Sequence, residues 1–293
     1  MSPNRKPAAY GAMEAIESIE ALDGPADAIS KVVRDAIPRG PVKDALSGTW
    51  LGHAFHPLMT DVPIGAWVSA LVLDWAGGEE SRPAVKRLIG FGLVAAPATF
   101  ATGWNDWADT TPGNPQVKRL GLLHATSNGT AAALFGASWL ARNKGDHGRG
   151  KLYALAAGAA LGLGGMLGGH LSYSEGVGVD QTVFDPGPAE WTPVLDESQL
   201  QDRRPALGRT PDGLDVLLVR DGDRIHALAD RCSHRGGALH DGELDGGCIV
   251  CPLHGSVFRL EDGSVERGPA AYAQPCYETR VVDERVEVRL IAE

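Results

Sequence analysis

Cys232-Ser-His234-Arg-Gly-Gly-Ala-Leu-His240-Asp-Gly242 and Cys251-Pro-Leu-His254-Gly-Ser-Val-Phe258-Arg-Leu-Glu-Asp-Gly263 decide how the C-terminal part of this 293-residue chain is read. The first stretch offers one thiol and one imidazole as C-x-H, the second offers the same pair as C-x-x-H, and sixteen residues separate His234 from Cys251. Thiolate and neutral imidazole are donors for soft and borderline metals, so the pattern describes a metal centre built from two loops. Two chemistries use such a set: a closed tetrahedral zinc site, and an iron–sulfur cluster with histidines in place of cysteines on one of its two irons. Zinc fingers mostly place both cysteines first and both histidines later, whereas here each loop supplies one of each.

The surroundings favour the cluster. With Gly268-Pro269-Ala270 downstream, these stretches resemble a Rieske-type ferredoxin, a resemblance that runs from about Trp191 to the C-terminus. It implies one [2Fe–2S] cluster, with Cys232 and Cys251 as thiolates on one iron and His234 and His254 as neutral imidazoles on the other. It also implies a small antiparallel β domain carrying the two loops at its tip, with Gly268-Pro269-Ala270 shielding the cluster from solvent. Neutral nitrogen donors raise the potential above that of a four-thiolate cluster. Quinol-oxidising Rieske proteins add a loop disulfide and a serine and a tyrosine that bond the cluster sulfurs. Gly237 and Leu253 stand here at the disulfide positions and Phe258 at the tyrosine, while Ser256 is retained. Fewer donors should lower the potential, toward the ferredoxin type. Cys248 could form a C-x-x-C pair with Cys251, but the family pattern uses Cys251 with Cys232. Cys248 and Cys276 are therefore read as strand thiols, and His226 and His240 as structural or exposed.

The β-rich runs 216–219, 224–228, 249–250 and 286–291, divided by Asp-Gly pairs, independently predict short antiparallel strands. From Glu190 onward the chain has 12 arginines and no lysine against 20 acidic residues. That balance disfavours phosphate backbones, so no nucleic-acid partner is expected. The expected partner is a redox protein, either a reductase or an electron acceptor.

Further upstream, residues 88–105, 120–141 and 152–174 contain no Asp, Glu, Lys or Arg. Each reaches the roughly 18 residues needed to span a bilayer as a helix. Residues 58–77 form a fourth candidate, with Asp61 and Asp74 near its ends. A soluble Ala/Gly-rich bundle is the alternative, but uncharged runs of this length are costly to keep in water. The glycines 158, 162, 164, 165, 168 and 169 are a close-packing signal between membrane helices. Met13, Ile16, Ile19 and Leu22, then Ile29, Val32, Val33 and Ala36, recur at helical spacing. They predict two amphipathic helices divided at Gly24-Pro25 and ended by Pro38, lying on the bundle or at the interface.

Trp50-Leu-Gly-His53-Ala-Phe-His56-Pro-Leu-Met-Thr-Asp61, Ala101-Thr-Gly-Trp-Asn-Asp106-Trp-Ala-Asp109, His124 with Asn128, and Gly168-Gly-His170-Leu-Ser-Tyr resemble an uncharacterised bacterial family of four-helix membrane proteins. That resemblance implies a fold and no activity. The expected architecture is therefore α+β by domain: amphipathic helices over 1–45, a four-transmembrane-helix bundle over 46–175, a turn-rich linker over 176–190 and a small antiparallel β Rieske domain over 191–293. An up-down-up-down bundle puts His53, His56, Asp106, Asp109, His124 and His170 toward one side of the membrane, the side from which the C-terminal domain leaves.

Ionisable residues at membrane depth are functional candidates. His56, His124 and His170 are accordingly candidate ligands of a b-type haem or another metal, or elements of a quinone site; the competing reading is hydrogen bonding between helices. The expected function is a membrane-anchored carrier of single electrons, with a redox or iron–sulfur sensor and a quinone-linked oxidoreductase as alternatives. A Rieske oxygenase is not expected, since nothing after the Rieske part could hold a mononuclear iron domain. No signal peptide is apparent in residues 1–45. The bilayer, and hence membrane lipid, is that of a bacterial cell membrane, crossed several times. The lysine and arginine bias around the helix ends favours an external β domain, whereas few cysteines and no export signal favour the cytoplasmic face, which is the side expected here.

Overall fold

A computed structural model describes residues 8–111 and 114–291. The chain forms two compact units. One takes residues up to Pro38 together with Phe55–Val177; the other takes Arg39–Ala54 together with the chain from Gly178 onward.

In the first unit, α1 (Ala8–Glu17) and α2 (Asp23–Ala36) precede four long helices, α4 (Phe55–Ala76), α5 (Arg82–Thr110), α6 (Pro115–Asn143) and α7 (His147–Tyr173). Short connections force sequential neighbours to run antiparallel. α4 packs on α5, α5 on α6, α6 on α7, and α7 meets α4, which closes the bundle. Its core is Trp67 stacked on Phe135 at 4.6 Å, among Ala70, Val85, Ile89, Ala131, Ala154 and Ala157. Gly92 makes room for Trp67, whose indole N–H donates to the Ile89 carbonyl at 3.3 Å.

Three of the four long helices, all but α6, are long and apolar enough to cross a membrane, and only 22 to 28% of each apolar window is buried. Val68, Val72, Phe91, Val94, Leu155 and Met166 instead face outward. α6 has the length, and no charge from Leu120 to Ala141, but His124, Thr126, Ser127, Asn128, Thr130 and Ser138 make it more polar. Asp74, one of the two acids expected near the ends of its helix, faces inward: its carboxylate meets Arg142 at 2.5 Å, with the two side chains 7% and 1% exposed.

The two N-terminal helices pack on the bundle. Met13 is buried against Val117, Leu120, Leu167 and Leu171, and Arg34 donates to the Ala108 carbonyl at 3.0 Å. The break between them falls earlier than expected, in a 3-10 turn at Glu20–Leu22. Gly24-Pro25 sits inside the first turn of α2, where a missing N–H costs nothing because that group has no partner within the helix.

The second unit is mainly antiparallel β. β1 (Thr192–Asp196), β2 (Pro205–Arg209), β3 (Asp215–Asp221), β4 (Arg224–Ala229), β9 (Cys276–Val282) and β10 (Arg285–Leu290) form one sheet in the order β1-β10-β9-β4-β3-β2. β5 (Glu243–Asp245), β6 (Cys248–Val250), β7 (Val257–Arg259) and β8 (Val265–Arg267) form a second sheet in sequence order. All four β-rich runs predicted from sequence fall on strands. Arg39–Ala54 contributes a short helix, α3 (Pro41–Ser47), and a 3-10 turn, Thr49–Leu51. His53, expected to open the first bundle helix, belongs to this stretch, and its ring meets Tyr272 edge-on at 5.4 Å.

Candidate metal centre

The β4–β5 and β6–β7 connections carry the two sequence motifs, and they fold alike. In the first, the Cys232 N–H donates to the Gly237 carbonyl (2.8 Å) and the Cys232 carbonyl accepts from Gly236 N–H (2.8 Å). In the second, Cys251 N–H donates to Ser256 (2.8 Å) and its carbonyl accepts from Gly255 (2.9 Å). The glycine four residues after each cysteine has φ of +72° and +76° respectively, a region that glycine enters at little cost. The same turn thus occurs twice, with the histidine two residues after the cysteine in one copy and three in the other. In both copies, N–H groups two and three residues on (His234 and Arg235; Leu253 and His254) point at the cysteine sulfur.

Cys232 and Cys251 are buried in one apolar cluster with Leu217, Leu228, Leu239, Ile249 and Phe258. The neighbouring Cys232, with the Leu253 and His254 amides, holds Cys251 below the usual thiol range. Cys251 and burial hold Cys232 well above it. The imidazoles of His234 and His254 lie 5.0 Å apart at 85°. Burial, then His254, Arg235 and Lys43, pushes His234 down to about 3; burial, then Arg235 and Arg39, pushes His254 to about 4. Both rings are therefore neutral near pH 7, the form that binds metal.

His234 Nδ1 and His254 Nε2 are buried and have no hydrogen-bond partner among the described residues. An unmet buried polar atom costs about 1–3 kcal/mol, and a coordinate bond would remove that penalty. Two paired sulfurs wrapped by amides beside two neutral, unpartnered imidazoles fit a metal centre with mixed sulfur and nitrogen donors. A side chain at Gly237 would press on Cys251 Sγ and Leu253 Cβ, each 3.0 Å from the place its β-carbon would take. Phe258 is fully buried, and the Ser256 hydroxyl accepts from Ala270 N–H at 3.0 Å.

Supporting residues missed in the sequence hold the first loop. Gln274, 2% exposed, accepts from Ser233 N–H at 2.7 Å and donates to the Ala229 and Arg231 carbonyls at 2.9 and 3.0 Å. Asp230 accepts from the His240 amide and meets the His240 ring, both at 2.8 Å. No short motif announces Gln274; the Cys-x-x-x-Gly spacing common to both loops was visible. Cys248 and Cys276 lie on β6 and β9, and burial raises the pKa of each thiol.

The bundle histidines make hydrogen bonds of their own. His56 Nδ1 meets Thr102 Oγ1 at 3.0 Å, His124 Nδ1 meets the Gly164 carbonyl at 2.8 Å, and His170 Nε2 meets Glu17 at 3.1 Å. Asn128 donates to the His124 carbonyl at 3.0 Å and its amide also lies against the ring. Glycine makes room for each of the first two rings: a β-carbon at Gly103 would crowd His56, and one at Gly168 would crowd His124. Glu17, His170 and Glu175 bring side-chain donor atoms within 4.8 Å of one another.

The family model described as Rieske [2Fe–2S] domain matches residues 190–278, and that described as Predicted membrane protein (DUF2231) matches residues 52–181. The chain is 31% identical over 102 residues to the anthranilate 1,2-dioxygenase ferredoxin subunit of Burkholderia cepacia, covering 35% of this chain and 94% of that protein. It is 30% identical over 102 residues to ferredoxin CarAc of Metapseudomonas resinovorans, covering 33% and 92%. Among solved structures, the ferredoxin of carbazole 1,9a-dioxygenase from Nocardioides aromaticivorans aligns at 29% identity with a TM-score of 0.32, over 34% of this chain and 96% of its own.

Proposed function

Because the chain belongs to the Rieske [2Fe–2S] domain family through residues 190–278 and carries a predicted membrane protein domain before it, we propose that it is a membrane-anchored carrier of single electrons. Cys232 and Cys251 hold one iron and His234 and His254 the other. The bound cluster supplies one-electron transfer. The carrying observation is the duplicated turn, whose two copies set Cys232 beside Cys251 and His234 beside His254. The amides around each sulfur offset its negative charge, and the surrounding apolar residues keep water from the site. A relative named as a dioxygenase ferredoxin subunit supports an oxygenase-type enzyme as one class of redox partner.

In this reading the bundle is an anchor of four spans, with α6 as the fourth. Its polar groups turn toward α7: Ser127 donates to the Ala160 carbonyl at 2.8 Å, Ser138 donates to that of Gly150 at 2.6 Å, and His124 meets that of Gly164. Hydrogen bonding between helices thereby accounts for His56 and His124 without a haem or quinone.

Detergent-purified protein tests both parts. Reduced samples should give the electron paramagnetic resonance signal of a mixed-ligand [2Fe–2S] cluster, with two irons per chain and no haem Soret band. Bound zinc in place of iron would sink the carrier reading. A Soret band would restore the bundle histidines as ligands.

A further inference from the structure

Within the second unit, Arg39–Ala54 lies against the His254 loop and against the Gly268-Pro269-Ala270 loop. Asp44 Oδ1 accepts from Gly268 N–H at 3.0 Å, across 224 positions of sequence. Thr49 Oγ1 donates to the Ala270 carbonyl at 3.4 Å, and Arg39 Nη2 lies 3.5 Å from the His254 carbonyl. The fit is close on both loops. A β-carbon at Gly268 would come within 2.8 Å of Thr49 Oγ1, and one at Gly255 would run into the Arg39 guanidinium.

This stretch brings two cations to the site. Lys43, next to Asp44 on α3, is only 5% exposed. Arg39 is exposed beside the His254 carbonyl. A charge buried in low dielectric acts strongly on its neighbours and is screened little by salt, while an exposed one is screened within about 10 Å at 0.1 M.

We propose that Arg39–Ala54 is a strap over the cluster loops, and that Lys43 and Arg39 are positioning residues that raise the cluster's reduction potential by stabilising the added electron. The proposal rests on the [2Fe–2S] reading above. A reductase would supply the one electron of reduction, and the two cations would offset the negative charge it adds. Asp44 and Thr49 keep the strap seated on the Gly268-Pro269-Ala270 loop.

The test is a redox titration followed by electron paramagnetic resonance on the full chain in detergent. It compares wild type with Lys43→Met, Arg39→Gln and, as a control, Arg285→Met, which lies on β10 in an exposed pair with Asp196. Lys43→Met should lower the equilibrium constant for reduction about tenfold, equal to about 59 mV for a one-electron couple, with little dependence on salt. Arg39→Gln should lower it by less, and the effect should fade at high salt. The control should match wild type.

Potentials of both strap variants equal to the control, with the signal intact, overturn the proposal. Should Lys43→Met fail to hold a cluster, Arg39→Gln at low salt decides alone, and an unchanged potential there overturns it too. Absence of the signal in wild type defeats the cluster reading itself, a different failure from an intact signal with unshifted potentials.

Discussion

The two units use glycine and polar side chains in opposite ways. In the bundle, glycines are helical and act as seats: Gly92 lies under Trp67, Gly164 under Asn128 and Gly168 under His124. In the β unit they are turn residues, as at Gly222, Gly246 and Gly263, with φ of +60°, +60° and +72°. The bundle hides polar groups such as Arg142, Ser138 and Asn105 and turns valine, leucine and phenylalanine outward. The β unit buries leucine, valine and phenylalanine and shows the solvent its ion pairs, such as Arg203 with Asp221 and Arg285 with Asp196. Each unit is therefore shaped against its own surrounding medium, since lipid gives apolar side chains no reason to withdraw and water does.

Substitutions can overturn this contrast. The largest effect belongs to the site: Cys232→Ser should abolish the cluster signal altogether, while Cys248→Ser, on an adjacent strand, should leave it at full intensity. Next, Arg142→Met strands Asp74 inside the bundle and should cost about 3–5 kcal/mol, read as a fall in thermal stability in detergent. Adding Asp74→Leu should recover most of that loss. Third, Val94→Arg places a charge on the outward face of α5, where Val94 is 79% exposed. Membrane insertion should weaken by about 2.5–3.5 kcal/mol, measured in a translocon insertion assay. The matching change in the β unit, Val281→Arg at an exposed β9 position, should alter stability by no more than about 0.5 kcal/mol. Within the bundle core, Gly168→Ala brings a β-carbon to 2.9 Å from His124 Cε1 and should cost about 1–3 kcal/mol, because the ring must give way. Equal penalties for Val94→Arg and Val281→Arg would erase the distinction between the two media.

Local pattern carried most of the fold. Uncharged runs marked α5, α6 and α7, a run with an acid near each end marked α4, and β-rich runs between Asp-Gly pairs marked β3, β4, β6 and β10. The four proposed donors were legible because their chemistry depends on residue type and short spacing. What could not be read depends on distance along the chain. Gln274 reaches Ser233 across 41 positions and Asp44 reaches Gly268 across 224, with no periodicity to signal either bond. α6 was legible as uncharged, but the destination of its hydroxyls and amide required knowing what lies beside it. His53 was grouped with His56 because only three positions separate them, yet the chain turns over to Tyr272 between them.

The seating of Arg39–Ala54 on the β unit also fixes an order of events. A ribosome releases α3 before any of the four long helices and long before the loops of Cys232 and Cys251. Throughout that interval Asp44 and Thr49 await the loop they pack on, so this stretch can seat only after Gly268 and Ala270 emerge. Contacts this distant in sequence form slowly, which leaves the Gly268-Pro269-Ala270 loop uncovered by this stretch while the chain is being made.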